Sequence, residues 1–216
     1  MSWSVYMTEK REIVWHQGQM TATERQKLLG ITHQPFVFWF TGLSGAGKST
    51  LAFAVERHLI SMGVWCTVLD GDNVRHGLNR DLGFSPLDRT ENIRRVAEVA
   101  RLMIDSGLIV ITSFISPYRE DRVMAKAIIG EDKFVEVYLN ASLETCEKRD
   151  TKGFYRKARA GELSGFTGIS SPYEAPEYPE LSIDTSTLTL DVCVGSLLQA
   201  VIKHSRLGDP ATNRVI

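Results

Sequence analysis

The sequence predicts an α/β fold in which helices cover both faces of a parallel sheet, giving three layers. From residue 36 onward, apolar runs of strand length alternate with stretches of helical length, which is typical of repeated βα units. Directly after the first apolar run stands Gly42-Leu-Ser-Gly-Ala-Gly-Lys-Ser-Thr50, which fits the pattern G-x-x-x-x-G-K-[ST]. A strand before this loop and a helix after it are typical of a P-loop NTPase-type domain, so both observations indicate the same fold.

The predicted elements follow one another in pairs. Four strand and helix pairs are expected: 36–41 with 48–62, 64–69 with 88–106, 108–112 with 118–129, and 134–139 with 142–149. A last strand at 188–190 and a closing helix at 195–207 would complete the domain. The closing helix is expected because Leu197, Leu198 and Val201 have helical spacing.

Two segments lie outside this alternation. Residues 1–34 are a predicted N-terminal extension, in which Thr21 or Thr23 can cap a short helix that ends near Gly30. Residues 35–216 are predicted to form one domain, because the chain is too short for two ordinary ones. Within it, residues 150–180 are rich in Gly, Pro, Lys, Arg and Tyr and too long for an ordinary connection. We expect this stretch, the lid segment, to cover a site.

Composition limits the possible partners. The chain has 25 basic and 26 acidic residues, and this balance argues against nucleic acid and favours small molecules. Cys66, Cys146 and Cys193 are scattered and form no C-x-x-C pair, so neither a disulfide framework nor a zinc site is indicated. No apolar run approaches the roughly 20 residues that span a bilayer. We therefore expect a cytoplasmic protein without a membrane partner.

The glycine-rich loop predicts nucleotide binding. Its glycines let backbone N–H groups surround the β-phosphate, Lys48 can reach the β- and γ-phosphates, and Ser49 can bind Mg²⁺. A turn that merely links strand to helix would not need Lys and Ser after the last glycine. The predicted nucleotide-binding residues are Gly42, Leu43, Ser44, Gly45, Ala46, Gly47, Lys48, Ser49 and Thr50.

Two carboxylates, Asp70 and Asp72, follow the second predicted strand and flank Gly71 on an expected flexible turn. That edge of the sheet is where ligands bind in open α/β folds. One carboxylate can hold Mg²⁺ and the other can accept a proton from an attacking hydroxyl, although the sequence does not rank them. An ordinary Asp-Gly-Asp turn is the alternative. The third strand, 108–112, carries no acidic residue, so Asp70 or Asp72 must supply the metal-associated carboxylate.

This arrangement favours a small-molecule kinase over a switch GTPase, which would also need an N-K-x-D segment that the chain lacks. Arg75 and Arg89 suit bidentate binding of phosphate or sulfate, Asn92 can bind a base edge, and Phe84 offers a stacking face. The basic and aromatic residues of the lid segment are also typical of single-stranded nucleic-acid binding, but one short cluster in a neutral chain argues against it.

From about residue 13 to about residue 174, the chain resembles the adenylyl-sulfate kinase family. The resemblance rests on the segments Phe40-Thr-Gly-Leu-Ser-Gly-Ala-Gly-Lys-Ser-Thr50, Leu69-Asp-Gly-Asp-Asn-Val-Arg75, Gly77-Leu-Asn-Arg-Asp-Leu-Gly-Phe84, Asp88-Arg-Thr-Glu-Asn-Ile-Arg-Arg95, Phe114-Ile-Ser-Pro117, Lys152-Gly-Phe-Tyr155 and Phe166-Thr-Gly-Ile169. It implies a kinase that uses Mg-ATP to phosphorylate adenosine 5′-phosphosulfate at its 3′-hydroxyl, giving 3′-phosphoadenylyl sulfate. It also implies a homodimer and a functional association with ATP sulfurylase.

The resemblance assigns roles to individual residues. It implies that adenylyl sulfate is held by Asp72, Arg75, Arg89, Asn92, Ile115 and Lys152, with Phe84 and Phe166 on either side of its adenine. Arg149 corresponds to the residue that meets the adenine of ATP. Ser116 matches the serine described as a phosphoserine intermediate. Direct transfer from ATP to the acceptor needs no covalent phosphoenzyme intermediate, however, so the alternative is that Ser116 orients the substrate through its hydroxyl. Phe154 and Arg156 stand where the family usually has leucine and lysine.

Two other functions compete with this one. Another small P-loop kinase would act on a sugar acid or a nucleoside monophosphate, and a sugar substrate has no ring for Phe84 and Phe166 to stack on. A catalytically silent nucleotide-binding module, such as a scaffold for a sulfurylase, would have no need for Lys48, Ser49 and two acidic residues together.

Overall fold

A computed structural model describes residues 14, 16 and 18–207. Its strands are β1 (Val37–Thr41), β2 (Cys66–Asp70), β3 (Ile109–Ser113), β4 (Phe134–Leu139) and β5 (Leu181–Ile183). Its α-helices are α1 (Ala22–Leu28), α2 (Lys48–Ser61), α3 (Gly71–His76), α4 (Pro86–Asp105), α5 (Arg119–Ile129), α6 (Leu143–Arg149), α7 (Phe154–Arg159) and α8 (Leu190–Ser205). A short 3₁₀ helix covers Glu131–Lys133.

The five strands form one parallel sheet in the order β2-β3-β1-β4-β5. Every residue of β1 is buried, because helices cover both faces of the sheet. Phe38 and Phe40 pack with residues of α2 and α8 on one face, whereas Val37 and Trp39 pack with α4 and α5 on the other. The predicted three-layer fold class is confirmed. A central strand packed on both faces places the glycine-rich loop on a rigid support.

Most predicted elements occur within two residues of their expected bounds, but the strand at 188–190 is wrong. The last strand is β5, whose Ile183 is buried and pairs in register with Leu139. Thr189 instead caps α8, because its side chain accepts a hydrogen bond from the backbone N–H of Val192. The closing helix therefore begins five residues before the predicted position.

The described part of the N-terminal extension lies at the amino ends of the strands. Thr21 is the N-cap of α1, in a capping box with Glu24. Arg25 donates to the carbonyl oxygen of Asp105, and a ring nitrogen of His33 lies 3.0 Å from the carbonyl oxygen of Gly107. These contacts hold α1 at the edge opposite the glycine-rich loop. Most of residues 1–17, including Ile13 at the start of the resemblance, lie outside the described residues.

Within the described residues, no helix is long and apolar enough to cross a membrane. The three cysteines are free and buried. In the same part of the chain, no group of three or more His, Cys, Asp and Glu residues is arranged to hold a metal ion.

Candidate active site

A cavity of about 550 Å³ opens at the carboxyl ends of β1, β2 and β3. This volume lies in the range of small-molecule sites. The predicted site residues that line it are Ser44, Gly45, Gly47, Lys48, Ser49, Thr50, Asp70, Asp72, Arg75, Phe84, Arg89, Asn92, Ile115, Ser116, Arg149 and Lys152. The predicted residues outside its lining are Gly42, Leu43, Ala46 and Phe166. Residues far apart in the sequence therefore share one cavity.

The glycine-rich loop turns sharply because three of its glycines have positive φ angles. Gly47 has a φ of 89° and precedes the first residue of α2, so the helix begins at the cavity wall. A Cβ at Gly42 would lie 2.8 Å from the carbonyl oxygen of Leu139, so only glycine fits there. The N-terminal N–H groups of α2 thus face the cavity, where an anion would be stabilised.

Lys48 is buried at the floor of the cavity. Its Nζ donates to the carbonyl oxygens of Gly42 and Leu43 at 2.8 and 2.7 Å. Burial lowers the pKa of Lys48 to about 8, and the nearby carboxylates of Asp70 and Asp72 only partly offset this effect. A bound phosphate would favour the charged ammonium again, so this lysine is suited to bind an anion.

Ser49, Asp70 and Ser113 meet between the loop and the second and third strands. Ser49 Oγ donates to Asp70 Oδ2 at 2.6 Å, and it lies 3.1 Å from Ser113 Oγ. Strand register brings this about, since Asp70 at the end of β2 pairs with Ser113 at the end of β3. The carboxylate of Asp70 therefore lies next to the end of the third strand, which carries no acidic residue.

The predicted flexible turn at Asp70–Asn73 is wrong, because α3 begins there. Asp70 is its N-cap: Oδ1 accepts from the backbone N–H groups of Asp72 and Asn73 at 3.0 and 3.4 Å. Both oxygens of Asp70 are therefore occupied by protein donors, and the residue is only 7% exposed. Asp72 is the second residue of α3 and is exposed, and its carboxylate forms an ion pair with Lys152. The two carboxylates have different surroundings, which suits different tasks.

Phe84 is exposed and lines the cavity away from the glycine-rich loop, and two arginines lie beside its ring. The guanidinium carbon of Arg75 lies 4.3 Å from the ring centroid, and that of Arg89 lies 5.9 Å away. Arg75 Nη1 also donates to the carbonyl oxygens of Leu82 and Gly83. The loop that carries the aromatic ring is therefore held by its own arginine, with a cation close to the ring.

Arg89 joins this loop to the lid segment. Its guanidinium donates to the carbonyl oxygens of Phe84 and Gly165 and to Thr167 Oγ1, at 3.0, 2.8 and 2.9 Å. Phe166, between the last two acceptors, packs edge-on against Tyr155 with ring centroids 4.9 Å apart. Arg89 thus ties the chain around both predicted stacking residues together.

Asn92 is buried and lines the cavity from α4. Its Oδ1 accepts a hydrogen bond from Asn79 Nδ2 at 3.0 Å. The Asn92 amide nitrogen is therefore the group left to donate toward a ligand. At the other side of the cavity, Arg149 ends α6 and donates to the carbonyl oxygens of Gly45 and Thr185.

Ile115 and Ser116 lie in residues 114–117, the acceptor loop, which follows β3. Ser116 is a non-glycine residue with a positive φ of 45°. It is 2% exposed, and its Oγ accepts a hydrogen bond from the indole Nε1 of Trp39 at 3.2 Å. A serine held by an indole donor in a strained backbone position is suited to orient a ligand.

Several cavity residues were missed by sequence reasoning. Tyr155 donates from its hydroxyl to the carbonyl oxygen of Ser44 at 2.8 Å, and Thr185 Oγ1 donates to that of Ala46 at 2.9 Å. Ser113, Thr185 and Leu188 also line the cavity. None of these three residues belongs to a sequence motif: Ser113 ends β3, Thr185 follows β5 and Leu188 precedes α8. Only Ser113 had a signal in the sequence, because it directly follows a predicted strand.

Comparison with known proteins agrees with this geometry. A profile described as adenylylsulphate kinase matches residues 34–184. The adenylyl-sulfate kinase of Staphylococcus epidermidis is 52% identical over 198 residues, which cover 92% of this chain and 98% of that protein. The enzyme of the same name from Geotalea daltonii is 56% identical over 189 residues, covering 88% of this chain and 92% of that protein.

The chain belongs to the adenylylsulphate kinase family.

A solved structure of this family has the same architecture. The Mycobacterium tuberculosis APS kinase CysC, in complex with AMPPNP and APS, is 46% identical, with a TM-score of 0.75 over 77% of this chain and 96% of that chain. The family match begins just before β1 and ends just after β5, so it includes every strand of the sheet. The match thus includes most of the residues that line the cavity, and the lining residues beyond it are Thr185, Leu188, Leu190 and Cys193.

Proposed function

We propose that this protein is an adenylyl-sulfate kinase, which transfers the γ-phosphoryl group of ATP to the 3′-hydroxyl of adenylyl sulfate. The observation that carries the proposal is the shared cavity. Lys48 and Ser49 line one end, where phosphates of ATP would bind, and Phe84, Arg89 and Asn92 line the other. Asp72 lines the same cavity. A kinase needs this arrangement because donor and acceptor must meet in one enclosed space.

In the proposed reaction, the acceptor 3′-oxygen forms a bond to the γ-phosphorus while the bond between that phosphorus and the bridging oxygen of ATP breaks. The electron pair of the broken bond leaves on ADP. The backbone N–H groups of residues 42–49 and the Lys48 ammonium stabilise the charge on the transferring group. The proton of the 3′-hydroxyl passes to a carboxylate. Ser116, whose Oγ is held by Trp39, is assigned as an orienting hydroxyl.

The site fits a magnesium ion. Ser49 Oγ and Asp70 Oδ2 are hard oxygen atoms 2.6 Å apart, next to the start of α2. Magnesium usually takes few protein ligands and completes its shell with phosphate oxygens and water, so a larger acidic cluster is not required. When bound, the ion would neutralise charge on the β- and γ-phosphates. Ser49 and Asp70 would hold it.

The surroundings of the two carboxylates support Asp72 as the base. Asp70 already accepts from Ser49 and from the N–H groups at the start of α3. Asp72 is exposed and is paired with a flexible lysine, Lys152, that a ligand can displace. A carboxylate that is free to approach the 3′-hydroxyl is suited to accept its proton.

The proposed function is tested by ADP release from Mg-ATP with adenylyl sulfate, AMP or gluconate as acceptor. We expect release with adenylyl sulfate only, and phosphorus NMR should show the product phosphorylated at the 3′-position. ADP release with AMP or gluconate instead would show that the acceptor is not adenylyl sulfate, although the protein would still be a kinase. ATP binding without release in any mixture would favour the silent module.

Replacing Phe84 by alanine is expected to raise the KM for adenylyl sulfate about tenfold, because base–aromatic stacking contributes about 1–3 kcal/mol. Phe84 is 65% exposed, so its removal leaves no buried cavity, and the melting temperature should not change. The KM for ATP should stay within about twofold of wild type. Leu87→Ala is the control, since Leu87 is an exposed apolar residue of the same region outside the cavity lining. An unchanged KM for adenylyl sulfate would refute the stacking role.

We also propose a homodimer, an association with ATP sulfurylase and a cytoplasmic location, all from the family resemblance alone. Sedimentation of the purified protein would test the dimer. The lid function of residues 150–180 is likewise a prediction. It is supported by Lys152 and Tyr155, which line the cavity from that segment.

A further inference from the structure

Arg122 lies at a buried junction behind the cavity, in the first turn of α5. Its side chain is only 4% exposed. Its guanidinium donates to Glu136 Oε1 in β4, to the carbonyl oxygen of Ser116 and to the carbonyl oxygen of Glu174, each at 2.7 Å. A planar guanidinium can reach three separated acceptors at once, which an ammonium cannot do. One residue thereby connects three distant segments of the chain.

The first of these segments is the acceptor loop. Ser116 has the positive φ of 45°, a conformation that persists in a non-glycine residue only where neighbouring groups hold it. Arg122 holds its carbonyl oxygen, and Thr41 Oγ1 donates to the carbonyl oxygen of Ile115 at 2.8 Å and lies 3.3 Å from that of Ser116. Ile115 and Ser116 both line the cavity, whereas Arg122 does not. Arg122 can therefore affect a ligand only through the segments that it holds.

The second segment is the C-terminal part of the lid segment. Besides accepting from Arg122, Glu174 donates its backbone N–H to the carbonyl oxygen of Pro117 at 2.8 Å. Arg119 fastens the same stretch from the solvent side, donating to the carbonyl oxygen of Ala175 and to Glu177. Two arginines thus hold one segment, but only Arg122 also holds Ser116.

We propose that Arg122, fixed by Glu136, is a positioning residue for the acceptor nucleotide: it sets the acceptor loop at the cavity wall and anchors the lid segment to it. The inference rests on the proposed function, because the acceptor is taken to be adenylyl sulfate. The inference predicts different effects of Arg122 on the binding of the two substrates. Among the described residues, the glycine-rich loop that would bind ATP makes no hydrogen bond with Arg122. It meets the acceptor loop through one long hydrogen bond, from the Gly42 N–H to the carbonyl oxygen of Ile115 at 3.4 Å, so ATP binding should depend on Arg122 much less than acceptor binding does.

The decisive variant is Arg122→Lys, which keeps the positive charge beside Glu136 but cannot reach both carbonyl oxygens. We expect the KM for adenylyl sulfate to rise at least about tenfold, while the KM for ATP stays within about twofold. In the protein without ligand, hydrogen exchange at the Glu174 amide should accelerate, and exchange in α2 should not. Exchange does not depend on the reaction, so it tests the contact itself.

Arg119→Lys is the matched control, because it loses the guanidinium geometry that holds Ala175 and Glu177 together on the exposed side and leaves Ser116 held. Its KM values should match those of wild type. If Arg122→Lys fails to fold, Glu136→Gln tests the inference, because it removes only the charge partner of Arg122. The KM for adenylyl sulfate should then rise, and the KM for ATP should stay unchanged. In a folded Arg122→Lys or Glu136→Gln variant, unchanged KM values or equal rises for both substrates would overturn the proposal.

The same experiment separates the two proposals. Wild-type protein that does not use adenylyl sulfate would refute the proposed function and, with it, the acceptor role of Arg122, even if exchange at Glu174 accelerated in the variant. Wild-type protein that uses adenylyl sulfate, together with an Arg122→Lys variant of unchanged KM, would refute the inference alone.

Discussion

Replacing Lys48 by alanine is expected to lower kcat about a thousandfold while the protein still folds. The Lys48 ammonium lies 2.8 and 2.7 Å from the carbonyl oxygens of Gly42 and Leu43, at the floor of the cavity. In that position it can neutralise charge on the transferring phosphoryl group, and removal of one such preorganised group typically costs 10²–10³ in kcat. Steady-state ADP release with adenylyl sulfate measures the effect.

The fold should tolerate this change because burial of the Lys48 charge is unfavourable, as its lowered pKa indicates. The carbonyl oxygens of Gly42 and Leu43 can then bind water from the adjoining cavity. Lys203→Ala removes an equal charge from the exposed face of α8 and should leave kcat unchanged. A Lys48→Ala variant with kcat within about tenfold of wild type would contradict the mechanism.

Replacing Asp72 by asparagine is expected to lower kcat between about 10²- and 10⁴-fold, the usual contribution of a general base. Asparagine keeps the size of the side chain but cannot accept the proton of the 3′-hydroxyl. The carboxylate of Asp72 is exposed and, within the part of the chain that the structure describes, forms one ion pair, with Lys152, so the melting temperature should change little. Because the base and not the metal site is changed, the Mg²⁺ concentration for half-maximal rate should stay the same.

Asp70→Asn provides the matched comparison, since the two residues differ in surroundings and not in chemistry. Asp70 accepts from Ser49 and caps α3, so its replacement should raise the Mg²⁺ requirement and lower stability. If Asp72→Asn alone shifted the Mg²⁺ requirement, the two roles would be reversed.

Much of the fold follows from local patterns in the sequence. The apolar run of β1, the glycines after it and the cap residues Ser85 and Ser142 act on their own neighbours, so their elements lie close to the predicted positions. The prediction failed at 188–190, because the short sequence Leu-Thr-Leu is compatible both with a strand and with the capped start of a helix. In the structure, Thr189 caps α8, so the segment begins a helix and not a strand.

By itself, the sequence determined the phosphate-binding loop, the order of the first four strands with the helix paired to each, and the family, since each depends on short segments with strict spacing. The tertiary structure alone decided how Asp70 differs from Asp72, that Ser113 lies beside Ser49, and that Arg122 holds both Ser116 and Glu174. These contacts join residues between 6 and 64 positions apart. They depend on strand register and helix packing, which place side chains to within the few tenths of an ångström that a hydrogen bond requires.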